Sequence, residues 1–285
     1  MKTVVITGAS TGIGRVTAEH LATRGWRVFA CVRKPEDGAD LQAANATIET
    51  LLVDVTDSDQ VSAAVAAVDT ALAGAKLDGL INNAGIAIMG PLPIQDLKTV
   101  RAHFDVNVFG LLTATQAFLP LLGTDTERTG KPGRIINISS LGGQLASPFL
   151  GAYTATKHAV ESITDSFRRE LPMFGIDAIS VGPGAVRTPI WDKADESGQT
   201  HPYNDTPWAH SIGLFSRTMV DSGRDGLRPE TVARVIEKAL TAKKPKARYN
   251  PVRNKFFLFT LPLLAPKRAV DRVFWKRFEL LGEKK

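Results

Sequence analysis

Apolar residues are distributed along this 285-residue chain in two alternating patterns. Short unbroken runs rich in Val, Ile and Leu occur at 3–7, 27–32, 49–53, 78–82, 133–138, 176–181 and 246–250. Runs without polar alternation suit strands covered on both faces, as in a parallel sheet. Between them apolar positions recur at three- and four-residue spacing over 13–24, 58–73, 96–122, 153–173 and 229–242, which predicts amphipathic helices. Strand and helix alternate, so the pattern predicts an α/β fold with a doubly wound parallel sheet of about seven strands and helices on both faces. No linker rich in Pro, Gly or Ser divides the chain and no repeat is visible, so 1–250 reads as one domain.

Two segments interrupt the rhythm. Residues 188–228 are polar and punctuated by Gly and Pro, with Trp191, Trp208 and Phe215 interspersed; so long a loop in a compact domain reads as a substrate lid. Residues 251–285 run past the last expected strand as a C-terminal extension. In it, the apolar run 256–265 lies between Lys255 and the pair Lys267 and Arg268, and is too short to span a bilayer. Val270, Val273, Phe274, Phe278 and Leu281 then recur at helical spacing, the apolar face of a basic amphipathic helix. Such a face either packs on the lid or a second subunit, the reading favoured here, or lies in a membrane interface as a peripheral contact.

Composition narrows the class. At 44% hydrophobic and 22% charged residues, the chain has the balance of a soluble globular protein. Its single cysteine, Cys31, excludes an internal disulfide framework and lies in an apolar run, where a buried inert thiol is expected. The five histidines show no metal-ligand spacing, so no metal is expected. The N-terminus enters a strand-like run without the apolar core and cleavage site of a signal peptide, and no stretch reaches the roughly 18–20 apolar residues of a membrane span, so a cytoplasmic location is expected. The formal charge of +6 is concentrated at the end of the chain, where residues 243–285 hold 13 Lys and Arg against 3 Asp and Glu. That tail is either a solvated basic surface or an attraction for an anionic one, membrane or acidic partner.

Candidate chemistry begins with TGASTGIG at 7–14, between the first strand and the first helix. Gly8, Gly12 and Gly14 permit a tight turn and close approach of backbone to a pyrophosphate, with Ser10 and Ile13 in the same turn, and the helix N-terminus supplies free N–H groups. This is the phosphate site of a Rossmann-type dinucleotide fold, although its T-G-x-x-x-G-x-G spacing departs from G-x-G-x-x-G. The second strand ends in Arg33 and Lys34, where a cation would accommodate a ribose 2′-phosphate, which favours NADP(H) over NAD(H). Glu36 and Asp37 follow Pro35 and are expected in the next loop.

Further motifs follow in order: NNAG at 82–85, NISS at 137–140, YTATK at 153–157 and PGAVRTP at 183–189. With TGASTGIG they make the chain resemble the short-chain dehydrogenase/reductase family over roughly 3–250, and SSLGGQLASPFLGAY, VFACVRK and the tail after KARYN resemble its hydroxysteroid and retinol dehydrogenase branch. The resemblance implies a catalytic set of Asn107, Ser140, Tyr153 and Lys157. The matching tyrosine is the general acid/base, the serine hydrogen-bonds the substrate oxygen, the lysine also holds the nicotinamide ribose, and the asparagine completes a proton relay through water. Tyr153 and Lys157 are four residues apart, so a helix puts them on one face, and a neighbouring ammonium is expected to lower the phenol pKa from its ordinary value of ~10.

By the same resemblance Asp54 and Val55 lie around the adenine, Asn83, Ala84 and Gly85 pack on the adenosine ribose, and Pro183, Gly184, Val186 and Thr188 cradle the carboxamide. Some NADP-dependent members carry a basic residue after the position of Ser10; this chain has Thr11, which leaves Arg33 as the main phosphate contact. The residues expected to face the substrate, Leu141, Gly142, Leu145, Pro148, Phe149 and the lid with Trp191, Leu214 and Met219, are mostly apolar. The implied activity is hydride transfer between NADP(H) and the carbonyl or alcohol carbon of an apolar steroid-, retinoid- or lipid-like substrate. The alternatives are a 3-oxoacyl-type reductase acting on carrier-bound chains and a non-catalytic NADP-binding regulator. The expected assembly is a homodimer or homotetramer, with no nucleic acid partner.

Overall fold

The computed structural model describes residues 1–188 and 202–281. Seven strands form one sheet: β1 Thr3–Ile6, β2 Arg27–Val32, β3 Ile48–Leu52, β4 Gly79–Asn82, β5 Arg134–Ile138, β6 Asp177–Val181 and β7 Arg248–Tyr249. Every pairing is parallel, in the order β3-β2-β1-β4-β5-β6-β7. The chain winds outward from β1 to β3 and then returns to β4 on the other side of β1. The crevice at the carboxyl ends of β1 and β4 is where such sheets take their ligands.

The unbroken apolar runs have a direct explanation. Successive strand side chains point to opposite faces, and both faces are covered. Val4, Ile6, Val28, Ala30, Ile81 and Ile136 face α1 (Gly12–Thr23) and α8 (Pro229–Thr241), against Leu21 and Ile236. Val5, Phe29, Cys31, Leu80 and Ile135 face the other way, against Val61 and Val68 of α3 (Ser58–Leu72) and Phe118 of α5 (Gly110–Leu119). Burial raises the Cys31 thiol to about 12, so it stays protonated.

Several expectations need correction. Pro35–Ala44 is a helix, α2, with Pro35 in its first turn and Lys34 at the N-cap. Glu36 and Asp37 therefore lie in a helical first turn rather than in a loop; proline fits that position and the positive end of the helix dipole favours the two acids. The expected helix 96–122 runs to Thr124 and is not uniform: α4 (Leu97–Phe104) and α5 are joined by a π-turn at Asp105–Phe109, and a second π-turn spans Pro120–Thr124. Contrary to expectation, Leu97–Thr124 is long and apolar enough by length and composition to cross a bilayer; 56% of its most apolar window is buried inside the fold, as in a core helix.

The segment expected to form a lid is not wholly a loop either. Its described part contains α7 (Ala209–Arg224), with Ile212 and Phe215 buried at helical spacing. Trp191 lies outside the described residues. In the extension, a π-turn at Phe256–Thr260 leads into a short helix, α9 (Leu261–Leu264), and then α10 (Lys267–Arg277). The predicted apolar face of α10 is divided. Phe278 is buried, its ring edge-on to Phe215 at 5.2 Å and stacked with Phe274 at 6.2 Å, so this part packs on the lid. Val273 and Leu281 stay exposed.

Candidate active site

The glycine turn has the shape its residues require. Gly8 and Gly12 have φ of 64° and 60°, conformations that side chains strain to adopt. A Cβ on Gly8 would lie 2.7 Å from the Cα of Ala84, and one on Gly14 would lie 2.3 Å from the Gly8 carbonyl oxygen. The turn is braced from β4: the Asn83 and Ala84 amides donate to the Thr7 hydroxyl at 3.0 and 3.1 Å. The Asn83 side-chain amide also donates to the carbonyls of Thr7 and Gly8 at 3.1 and 2.8 Å. Thr7 was not among the expected site residues, although it opens the TGASTGIG motif. The N-cap of α1, Thr11, makes no side-chain cap, which leaves the first-turn N–H groups of Gly12, Ile13 and Gly14 to a ligand. Ser10 is half-buried beside them. A dinucleotide pyrophosphate fits this cradle.

At the end of β2, Arg33 is exposed. The backbone amide of Thr56 holds the Asp54 carboxyl below its ordinary range; burial opposes this, and the Thr56 hydroxyl and the charge of Arg33 add to the lowering. Asp54 and Arg33 thus share one corner of the crevice. Val55, buried, packs against Gly110, where a Cβ would lie 2.5 Å from its methyl. On the opposite side the 183–188 turn is pinned by Leu141 N–H donating to Pro183 O (2.9 Å) and Gly184 N–H donating to Pro251 O (3.1 Å). Val186 bridges to Leu227, and the Thr188 methyl lies 3.3 Å from where a Cβ on Gly12 would be, so the turn reaches the glycine loop.

Ser140, Tyr153 and Lys157 come together at the carboxyl ends of β5 and β6. Ser140 caps a turn at Leu141–Gly143, accepting from Gly142 N–H at 3.0 Å. Tyr153 and Lys157 stand on one face of α6 (Gly151–Glu170). The Ser140 hydroxyl favours the ionised form of Tyr153, but burial outweighs it and raises the phenol above its ordinary value. This reverses the expected lowering by Lys157. The lysine ammonium donates to the Ile138 carbonyl at 2.8 Å and lies 5.7 Å from the centre of the tyrosine ring, so it is not aimed at the phenol oxygen. Burial lowers Lys157 to about 8.

Asn107 sits in the π-turn between α4 and α5, a distortion that recurs at functional sites. Its amide donates to Ile86 O and to Thr156 Oγ1, both at 3.0 Å, and its oxygen accepts from Ile86 N–H at 2.8 Å. Gly85 lies beside it: a Cβ there would be 3.1 Å from Asn107 Oδ1 and 3.7 Å from Lys157 Nζ. Leu141, Gly142 and Leu145 are half-buried close to Ser140 in the chain. Phe149 is buried, its ring 5.5 Å from Phe215 in the lid cluster.

Two residues beneath the site were not anticipated. Glu161, one turn beyond Lys157 on α6, forms an ion pair with Arg248 of β7 and accepts from Ser180 Oγ at 2.9 Å. Arg248 also donates to the Ser140 carbonyl at 3.0 Å and to Asn250 Oδ1 at 2.6 Å. The 153-157-161 spacing on one helix face was a readable signal for Glu161; Arg248 carried only the weak one of a cation inside a strand-like run.

The fold and this crevice define a dinucleotide-dependent oxidoreductase. The family model described as short chain dehydrogenase matches residues 2–199. An NADPH-dependent 3-dehydrocapnine reductase of Ornithobacterium rhinotracheale is 36% identical over 284 residues, 99% of each chain. Human retinol dehydrogenase 5 is 34% identical, covering 95% of this chain and 86% of its own. The crystal structure of a short-chain dehydrogenase from Streptomyces avermitilis superposes with a TM-score of 0.76 at 27% identity, covering 100% of this chain and 98% of that one. The chain belongs to the short-chain dehydrogenase/reductase family and is an oxidoreductase of that type.

Proposed function

We propose that the protein is an NADPH-dependent carbonyl reductase acting on an apolar, lipid-like ketone or aldehyde, with Tyr153 as the general acid. The observation that carries this is the convergence of Tyr153 and Ser140 on Gly142, where a Cβ would lie 3.5 Å from Ser140 Oγ and 3.7 Å from the Tyr153 ring, beside the buried Lys157. The phenol, raised further by burial, is in its protonated form at neutral pH, the form a reduction needs. Ser140 orients the substrate oxygen by a hydrogen bond, and Tyr153 delivers its proton to that oxygen. Lys157, one helical turn from Tyr153 and donating to the Ile138 carbonyl, would hold the nicotinamide ribose hydroxyls. Asn107, held at both ends of its amide, positions the wall formed by Ile86 and Thr156. When bound, the nicotinamide supplies the hydride. The crevice would hold it through the first turn of α1, Asn83 to Gly85 and the 183–188 turn. Arg33 supports a 2′-phosphate, and the relative named as an NADPH-dependent reductase supports both that cofactor and that direction. The apolar lid residues of α7, and a relative named retinol dehydrogenase, support an apolar substrate.

The test is a panel of ketones and aldehydes of increasing apolar length, with NADPH and NADH oxidation followed in parallel. The expected result is faster turnover with NADPH on the longer apolar carbonyls. Tyr153→Phe should lower turnover by roughly 10²–10⁴ while NADPH binding, read by fluorescence, is retained. Turnover within about tenfold of wild type would remove Tyr153 from its role.

A further inference from the structure

The extension exposes an apolar surface that nothing in the described fold covers. Phe256, Phe257, Leu258, Leu261, Leu263 and Leu264 are between 40% and 79% exposed. No other nine-residue stretch of the described residues exposes six large apolar side chains. Isolated exposed apolar residues are ordinary, whereas a contiguous cluster marks an interaction site. In 256–264 the sequence FFLFTLPLL contains one polar residue, Thr260, and only Phe259 is buried. The π-turn and α9 are therefore apolar around most of their circumference. A protein partner would cover one face of so short a helix; immersion in hydrocarbon covers all of them.

The charge around the patch selects the occupant. Arg253, Lys255, Lys267, Arg268 and Arg272 flank it and are exposed. Between 251 and 278 the one acid is Asp271, which is paired with Arg268 at 3.4 Å. A second copy docked face to face would bring two cationic rims together, whereas anionic lipid headgroups neutralise one rim. The run is too short to span a bilayer, so the contact is peripheral.

We propose that residues 256–264 insert into the interface of an anionic bilayer, with the basic rim on the headgroups. The segment is rooted at the active site: Phe259 lies under the Arg248 guanidinium at 5.9 Å, Arg248 bonds the Ser140 carbonyl, and Pro251 accepts from Gly184. Insertion therefore brings the substrate end of the crevice to the membrane. Only this consequence, access to lipid-borne carbonyls, rests on the reductase reading. The two parts of the predicted tail thus divide the work: α10 packs on the lid and the preceding run meets lipid.

The experiment uses the full chain in vesicle flotation, with phosphatidylcholine alone and with an equal mixture of phosphatidylcholine and phosphatidylglycerol. The wild type should float with the mixed vesicles at low salt and detach as salt screens the rim. The double variant Phe257→Ser with Leu264→Ser should bind about a hundredfold more weakly. Both positions are highly exposed, so its fold and its turnover of a short water-soluble ketone in vesicle-free buffer should match wild type. Wild type that ignores the mixed vesicles, or a double variant that floats as well as wild type, overturns the proposal. So does a concentration-dependent dimer, seen by sedimentation velocity, that the double variant loses while neither protein floats. Flotation by a protein inactive on every carbonyl supports the surface and removes the reductase reading alone.

Discussion

Arg248→Met tests how Ser140 of the candidate site is held. The Arg248 and Glu161 side chains are 14% and 17% exposed, so the pair is largely removed from water. Deleting one member leaves the other charge buried with reduced compensation, which typically costs about 3–5 kcal/mol. Glu161 keeps the Ser180 hydroxyl and both side chains keep some water, so about 3 kcal/mol is expected for Arg248→Met. Glu161→Met should cost a similar amount, because the guanidinium then loses its counter-charge. The double Met variant carries no buried charge, and its loss should fall short of the combined single losses by about 2 kcal/mol. Urea denaturation followed by tryptophan fluorescence reads all four proteins. Turnover supplies the second readout. Arg248 is the side-chain donor to the Ser140 carbonyl, so the folded Arg248→Met enzyme should lose about tenfold or more in kcat with NADPH affinity retained. Losses that add within about 0.5 kcal/mol would show that the pair is not coupled, and an unchanged kcat would show that Arg248 does not position Ser140.

Three further outcomes follow. Arg33→Asp should move preference from NADPH towards NADH, and an unchanged ratio of efficiencies would remove Arg33 as the discriminating residue. In the cofactor-free protein, Lys157 is lowered from 10.5 to about 8, so between those values the unfolded chain binds more protons and this group makes stability rise with pH, by at most about 3 kcal/mol. The stability of wild type minus that of Lys157→Met should therefore increase over that window, and a flat difference would place the lysine in contact with water. Phe278→Ala removes a buried ring from the lid cluster and should cost about 3 kcal/mol in urea denaturation; an unchanged midpoint would mean that α10 does not cover α7.

Most of the sheet and the spacing of the candidate site were legible from the chain itself. Residues 27–32 read as a strand because every side chain from Val28 to Val32 is buried, on alternating faces. Tyr153 and Lys157 sit one helical turn apart, a relation set by helix geometry alone. The glycine positions were also local, since Gly8 and Gly12 adopt positive φ within their own turn. Two helices were missed for local reasons too. α2 begins with Pro35, Glu36 and Asp37, residues that serve loops and first turns equally, and α7 carries its buried face at so few positions that polar residues dominate 202–228.

What the sequence determined by itself are the relations that repeat along the backbone: strand and helix periods, the turn that only glycine tolerates, and the side chains one turn apart. What only the tertiary structure decided are the relations between distant segments. The direction of the Tyr153 shift depends on burial by surrounding elements and on a lysine that donates to a strand carbonyl nineteen residues away. The link from Glu161 to Arg248 to Ser140 joins a helix, the last strand and a loop across more than a hundred positions. The tail shows the same limit. Its two apolar stretches look alike in sequence, yet Phe278 is covered by α7 while Phe257 and Leu264 meet solvent, because burial is set by what lies opposite a side chain in space and the chain's own pattern does not carry that information.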